Sequence, residues 1–150
     1  MGWFFLLKTV HILSAIVAVG ANATYGFWSV RAKRDPEHLG FALRGIKFID
    51  DRVANPAYGL LFLTGLVMAF TRYSITTRWI ISGIVLFVII ALIAALGYTP
   101  TLKRQIELVD AGQAETDAYR SADGRARTLG IVMAVLLVIV VFVMVFKPAA

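Results

Sequence analysis

Cysteine is absent from the 150-residue chain, which excludes disulfides, thiolate metal sites and a cysteine nucleophile and leaves the redox compartment undefined. No Asp or Glu lies within any of the long apolar runs, so the intramembrane carboxylate that proton-coupled exporters use is missing. Gly-rich phosphate loops and the HExxH and GxSxG patterns are also missing, which leaves soluble-type nucleotide and hydrolase chemistry without a carrier. There are two histidines, His11 and His38, and there is neither an internal repeat nor a low-complexity tract.

What is present is apolar. Hydrophobic residues make up 59% of the chain and gather in four long blocks instead of recurring at the spacing of a soluble core. A helix needs roughly 20 apolar residues to cross a hydrocarbon layer about 30 Å thick. Four such blocks, at about 3–30, 53–72, 79–98 and 129–146, use up the chain as one integral membrane domain with no room for a soluble one. The pattern predicts an all-α polytopic protein, a four-transmembrane-helix bundle. The first block exceeds the bilayer and should tilt, kink or project. Ala21-Asn22-Ala23 offers a small-x-small cleavage site, but Lys8 and His11 interrupt the run, and the helix is expected to be retained. The fourth block has no polar side chain after Thr128, so it should be the most lipid-exposed.

The net charge of +6 would suggest nucleic acid in a soluble protein. Here Lys and Arg flank the spans, where they set topology and meet anionic headgroups, and no nucleic-acid partner is expected. Arg31, Lys33, Arg34, Arg44, Lys47 and Arg52 precede span two, and Lys103, Arg104, Arg120, Arg125 and Arg127 precede span four. Only Lys8, Arg72, Arg78 and Lys147 lie on the other side. The positive-inside rule then predicts cytoplasmic connections, with N-out and C-out termini.

The connections themselves should be amphipathic helices. Asp35-Pro36-Glu37 signals a helix start, after which Leu39, Leu43, Ile46, Ile49 and Val53 recur at helical spacing, as in a helix lying at headgroup level. Beyond Thr99-Pro100, Leu102, Ile106 and Val109 form a shorter amphipathic stretch ahead of a polar segment from Asp110 to Arg127.

Span one carries the polar content. At 100° per residue His11, Ala15, Ala18, Asn22, Tyr25 and Ser29 share about a quarter of the circumference, with Ser14 and Lys8 at its edges. Polar groups left in lipid cost several kcal/mol each, so this stripe should face the bundle interior. His11 is either an axial ligand for haem iron or an interior histidine hydrogen-bonded to a neighbouring helix. Lys8, one turn away, either snorkels to the interface or pairs with a propionate or a lipid phosphate. Ser14, Ala18, Asn22 and Gly26 form a small-residue ladder suited to close helix packing. Tyr25, Tyr58 and Asn55 should form hydrogen bonds near the basic ends of spans one and two, where a quinone or tetrapyrrole pocket is an alternative. Trp3, Trp28, Trp79 and Tyr98 are expected at the membrane interfaces, and Met68, Met133 and Met144 are expected to pack instead of binding copper.

Leu7-Lys8-Thr9-Val10-His11-Ile12-Leu13-Ser14-Ala15, Arg52-Val53-Ala54-Asn55-Pro56, Leu63-Thr64-Gly65-Leu66, Trp79-Ile80-Ile81 and Gly97-Tyr98-Thr99-Pro100 are spread along nearly the whole chain. Together they resemble the bacterial predicted integral membrane proteins grouped as domain of unknown function 2269, a resemblance that implies a bacterial inner-membrane location and no particular activity. The Lys-x-x-His start of span one is similar to that of the haem-pathway membrane protoporphyrinogen oxidases and the copper-resistance D proteins. That second resemblance implies His11 as a haem or metal ligand; in the haem reading, with haem b as the cofactor, Lys8, Asn22 and Tyr25 are the candidate pocket residues. It covers one helix and lacks the tryptophan common soon after that histidine.

Three functions follow. The first is an accessory or structural subunit in the lipid bilayer, packing against a larger membrane complex or forming a homo-oligomer. The second is a b-type haem or porphyrin protein, which as an enzyme would be a haem-linked membrane oxidoreductase. The third is an oligomeric transporter or channel lined by Ser14, Asn22 and Tyr25.

Overall fold

A computed structural model describes residues 2–148. Among them there are helices and no strands: α1 (Gly2–Lys33), α2 (Leu39–Ile49), α3 (Asn55–Thr71), α4 (Arg78–Ile93), α5 (Thr99–Asp110) and α6 (Asp117–Phe146). A short 3-10 turn, Pro36–His38, opens α2, with proline in the first turn where its missing N–H costs nothing. The segments 36–71 and 78–110 each run on without a break, so four helices are long and apolar enough to cross a membrane.

The two composite helices share a device. Between α2 and α3 the backbone makes a π turn, Asp50–Ala54, ending with Asn55 N–H donating to Asp50 O, five residues back. Between α4 and α5 a second π turn, Ala94–Tyr98, ends with Thr99 N–H donating to Ala94 O. A proline, Pro56 or Pro100, follows immediately in each case. Proline cannot donate to the preceding turn, and widening that turn by one residue absorbs the defect without ending the helix.

The helices run beyond the apolar blocks: the amphipathic connections expected before span two and after span three are α2 and α5, continuous with α3 and α4, and the connection before α6 is only 111–116 instead of the whole polar stretch to Arg127. Thr116 caps α6, its hydroxyl accepting from Tyr119 N–H. The α2 helix is not laid on lipid by its apolar stripe: Leu39, Leu43 and Ile46 are buried against α1 and α5, while Phe41 and Phe48 point outward. The stripe then departs from the expected Ile49 and Val53. Asp50 and Ala54 take the buried positions instead, because the π turn shifts the register by one residue.

The membrane helices assemble as two close pairs, α1 with α3 and α4 with α6. Small residues make both approaches tight. Gly65 on α3 leaves room for the His11 ring, and Gly83 on α4 leaves room for the Met144 methyl group. The pairs meet along one seam through aromatic rings, with Phe62 stacked on Phe87 at 5.1 Å and Tyr58 edge-on to the same ring. At the basic end α2 and α5 cross-brace the bundle, and α5 also packs on α6. Along the remaining seam α1 and α6 pack far less closely than either of the two pairs.

All nine Asp and Glu residues belong to the basic end, where Lys47 pairs with Asp51, Arg44 with Asp110 at 2.8 Å and Lys33 with Asp123 at 2.7 Å. At the opposite end two of the four described cations rest on aromatic faces. Lys147 lies 5.4 Å from the Trp79 ring and 5.6 Å from Tyr73, and Arg72 lies 5.8 Å from Phe4. As expected, α6 has the most lipid exposure, with only Tyr119, Met133 and Leu137 buried in its 30 residues.

Candidate functional site

Helix α1 presents Ser14, Ala18, Ala21 and Tyr25 to the interior, close to the stripe its sequence implies. Two of its polar side chains are spent on α3. His11 Nδ1 lies 3.0 Å from the Thr64 hydroxyl, whose own proton is directed at the Leu60 carbonyl at 2.7 Å. The hydroxyl has one proton to give, so Nδ1 carries the proton of this contact and donates. The ring rests against Gly65, where a Cβ atom would stand 3.0 Å from His11 Cε1. Asn22 donates to the Tyr58 hydroxyl at 2.7 Å and to the Ala18 carbonyl at 3.1 Å.

One turn further along, Tyr25 donates to Asp50 Oδ1 at 3.2 Å and stacks on Tyr98, the ring centroids 6.2 Å apart and nearly parallel. Asp50 and Tyr98 are the first and last residues of the two π turns, so both widened turns meet at Tyr25. Asp50 is 8% exposed, and its Oδ2 has no hydrogen-bond partner among the described residues. Carboxylates buried in a membrane bundle are costly and belong to working parts of a protein more often than to its scaffold.

Above this cluster lies a cleft of about 840 Å³ between α1 and α6. Asn22, Gly26 and Ser29 line one wall, Ala126, Gly130 and Ala134 the other, and Tyr25, Tyr98, Leu43 and Ile46 form the floor. Small side chains on both helices make the space: a Cβ on Gly26 would touch nothing within 4 Å, and one on Gly130 would only graze the Tyr98 ring at 3.9 Å. The apolar part runs outward past Val19 and Phe142 into the lipid-exposed surface of the bundle. The polar mouth carries Lys33, Arg34, Arg127, Asp123 and Gln105. Asp123 holds two of these in place, accepting from Lys33 at 2.7 Å and, at the limit of hydrogen bonding, from Gln105 at 3.5 Å.

The four residues singled out in the sequence therefore separate. Asn22 and Tyr25 line the cleft. His11 faces the α1–α3 seam, Lys8 is exposed near the other end of α1, and among the described residues no histidine borders the cleft. Tyr98, expected at an interface, is buried beneath the cleft, and Asn55 is exposed without a side-chain bond. Asp50 was hidden in the sequence because a plain helical wheel places it beside the apolar stripe. Arg127 and Gln105 were hidden because nothing local marks them as neighbours of α1.

A family model described as "Predicted integral membrane protein (DUF2269)" matches residues 5–148. The chain belongs to that family. As a DUF2269 member it is an integral membrane protein with four candidate spans. No curated protein and no solved structure matches it.

Proposed function

We propose that this DUF2269 protein is an accessory protein of the bacterial inner membrane, oriented N-out and C-out, and that its working surface is the laterally open cleft between α1 and α6. There it holds a molecule taken from the bilayer. The observation that carries this reading is the cleft itself. At about 840 Å³ it falls in the usual size range of small-ligand sites, roughly 300–1,000 Å³, and its lining runs out to exposed apolar residues such as Val138 and Phe142, which supports entry from lipid. A bundle that only braced a complex would have no use for a vacancy lined by two ladders of small residues, since close packing is what such ladders ordinarily provide.

The haem reading has less support. An axial histidine needs a flat, open space beside its free ring nitrogen. His11 is instead pressed against Gly65 and tied to Thr64, while the large space in the bundle lies on the other side of α1. The deciding experiment is purification in mild detergent, followed by native mass spectrometry and a visible spectrum with a pyridine haemochrome assay. A colourless protein carrying a lipid-sized adduct that is lost in Gly130→Phe supports the cleft reading. Stoichiometric haem that disappears in His11→Ala replaces it with the redox reading.

A further inference from the structure

The cleft is not evenly charged along its length, and this indicates what enters it. Resting on the cleft reading above, we infer that the occupant is an anionic glycerophospholipid of the surrounding leaflet, its phosphate at the Lys33, Arg34 and Arg127 mouth and its acyl chains lying between α1 and α6.

Three features carry the assignment. The mouth has three cations and one carboxylate, a formal excess of two positive charges facing the cleft. Arg34 and Arg127 have no carboxylate partner among the described residues, so an anion placed there meets two guanidinium groups not already engaged. Arginine suits this role because its planar fork can bind phosphate through two parallel hydrogen bonds.

Depth is the second feature. From Ser29 back to Val19 the apolar wall is about 15 Å long at 1.5 Å per residue. That is one leaflet of a hydrocarbon core roughly 30 Å thick. Ser29 lies one helical turn inward of Lys33 and offers a hydroxyl at the level of a lipid's ester carbonyls. The gradient from cations through a hydroxyl to aliphatic walls therefore has the order and the length of a phospholipid.

Size is the third. At about 840 Å³ the cleft lies within the usual range of small-ligand sites, roughly 300–1,000 Å³, and its aliphatic walls of Val19, Leu137, Val138 and Val141 suit acyl chains.

The test is native mass spectrometry of the purified full chain, delipidated and then offered equal amounts of phosphatidylglycerol and phosphatidylcholine. Wild type should carry one lipid and prefer phosphatidylglycerol. Arg34→Gln with Arg127→Gln should cut that preference by about thirtyfold, as expected from about 1 kcal/mol for each of the two basic residues near anionic lipid, while phosphatidylcholine binding persists. Asp123→Asn, which removes the one carboxylate at the mouth among the described residues, should raise the preference, a direction that structural damage would not produce. Equal retention of the two lipids by wild type, with both lost in Gly130→Phe, would overturn the headgroup assignment and leave the cleft reading standing. Retention indifferent to Gly130→Phe, or a dimer mass in place of a lipid adduct, would overturn both.

Discussion

Helix α1 borders two seams that are built in opposite ways. Toward α3 it is closed: His11 is bonded to Thr64, Asn22 to Tyr58, and Gly65 brings the backbones together. Toward α6 it is open over a leaflet's depth, although the residues there are no larger. Small residues thus have two outcomes. Where polar side chains reach across, they permit contact. Where they face one another with no cross-helix bond until Lys33 meets Asp123, they leave a slot. The lesson is that a small-residue ladder specifies an approach only when something else pulls the helices together, and in lipid a general hydrophobic force does not.

Substitutions can break or sharpen this contrast. The largest effect is expected at the closed seam: Gly65→Leu forces a side chain into the His11 ring and should cost up to about 3 kcal/mol, read as a fall in the midpoint of denaturation in bicelles. Tyr25→Phe comes next. It removes the hydroxyl that serves Asp50 and should cost about 1–3 kcal/mol through the stranded carboxylate, whereas Asp50→Asn, which keeps an acceptor and removes the charge, should be at least as stable as wild type. Asn22→Leu should cost about 1 kcal/mol, in the range of interhelical hydrogen bonds in membranes. At the open seam Gly130→Phe should leave the denaturation midpoint within about 0.5 kcal/mol of wild type, since it fills space without displacing neighbours. A large loss there would show that the slot is a packed interface after all. Comparably small is Lys33→Ala. Its side chain is 48% exposed, and a pair of this kind contributes about 0.2–1 kcal/mol, reduced further by salt.

The number of membrane helices, their order and the inward stripe of α1 were legible because they depend on hydrophobic length and on a 3.6-residue period, both local properties. Asn22 and Tyr25 were found for the same reason. The rest depended on which helices become neighbours. Thr64 explains His11, Asp50 explains Tyr25, and Arg127 completes a mouth begun by Lys33, yet each partner is distant along the chain. The amphipathic helices of the connections were legible from their apolar spacing; that they run on unbroken through Asn55-Pro56 and Thr99-Pro100, held by packing among α1, α2, α5 and α6, was not.

The widened turn at Asp50–Ala54 has a consequence for how this helix tolerates change in chain length. Each residue added to or removed from a helix rotates all that follows by about 100°. Deleting one residue inside the widened turn would restore ordinary winding and leave the 17-residue α3 at nearly its present angle, whereas deleting one in the regular turn before Tyr58 would carry Tyr58 and Thr64 together away from Asn22 and His11. The widened turn thus works as a slack link, taking up one residue of chain while the membrane half of the helix stays engaged with α1 and its other half with α5.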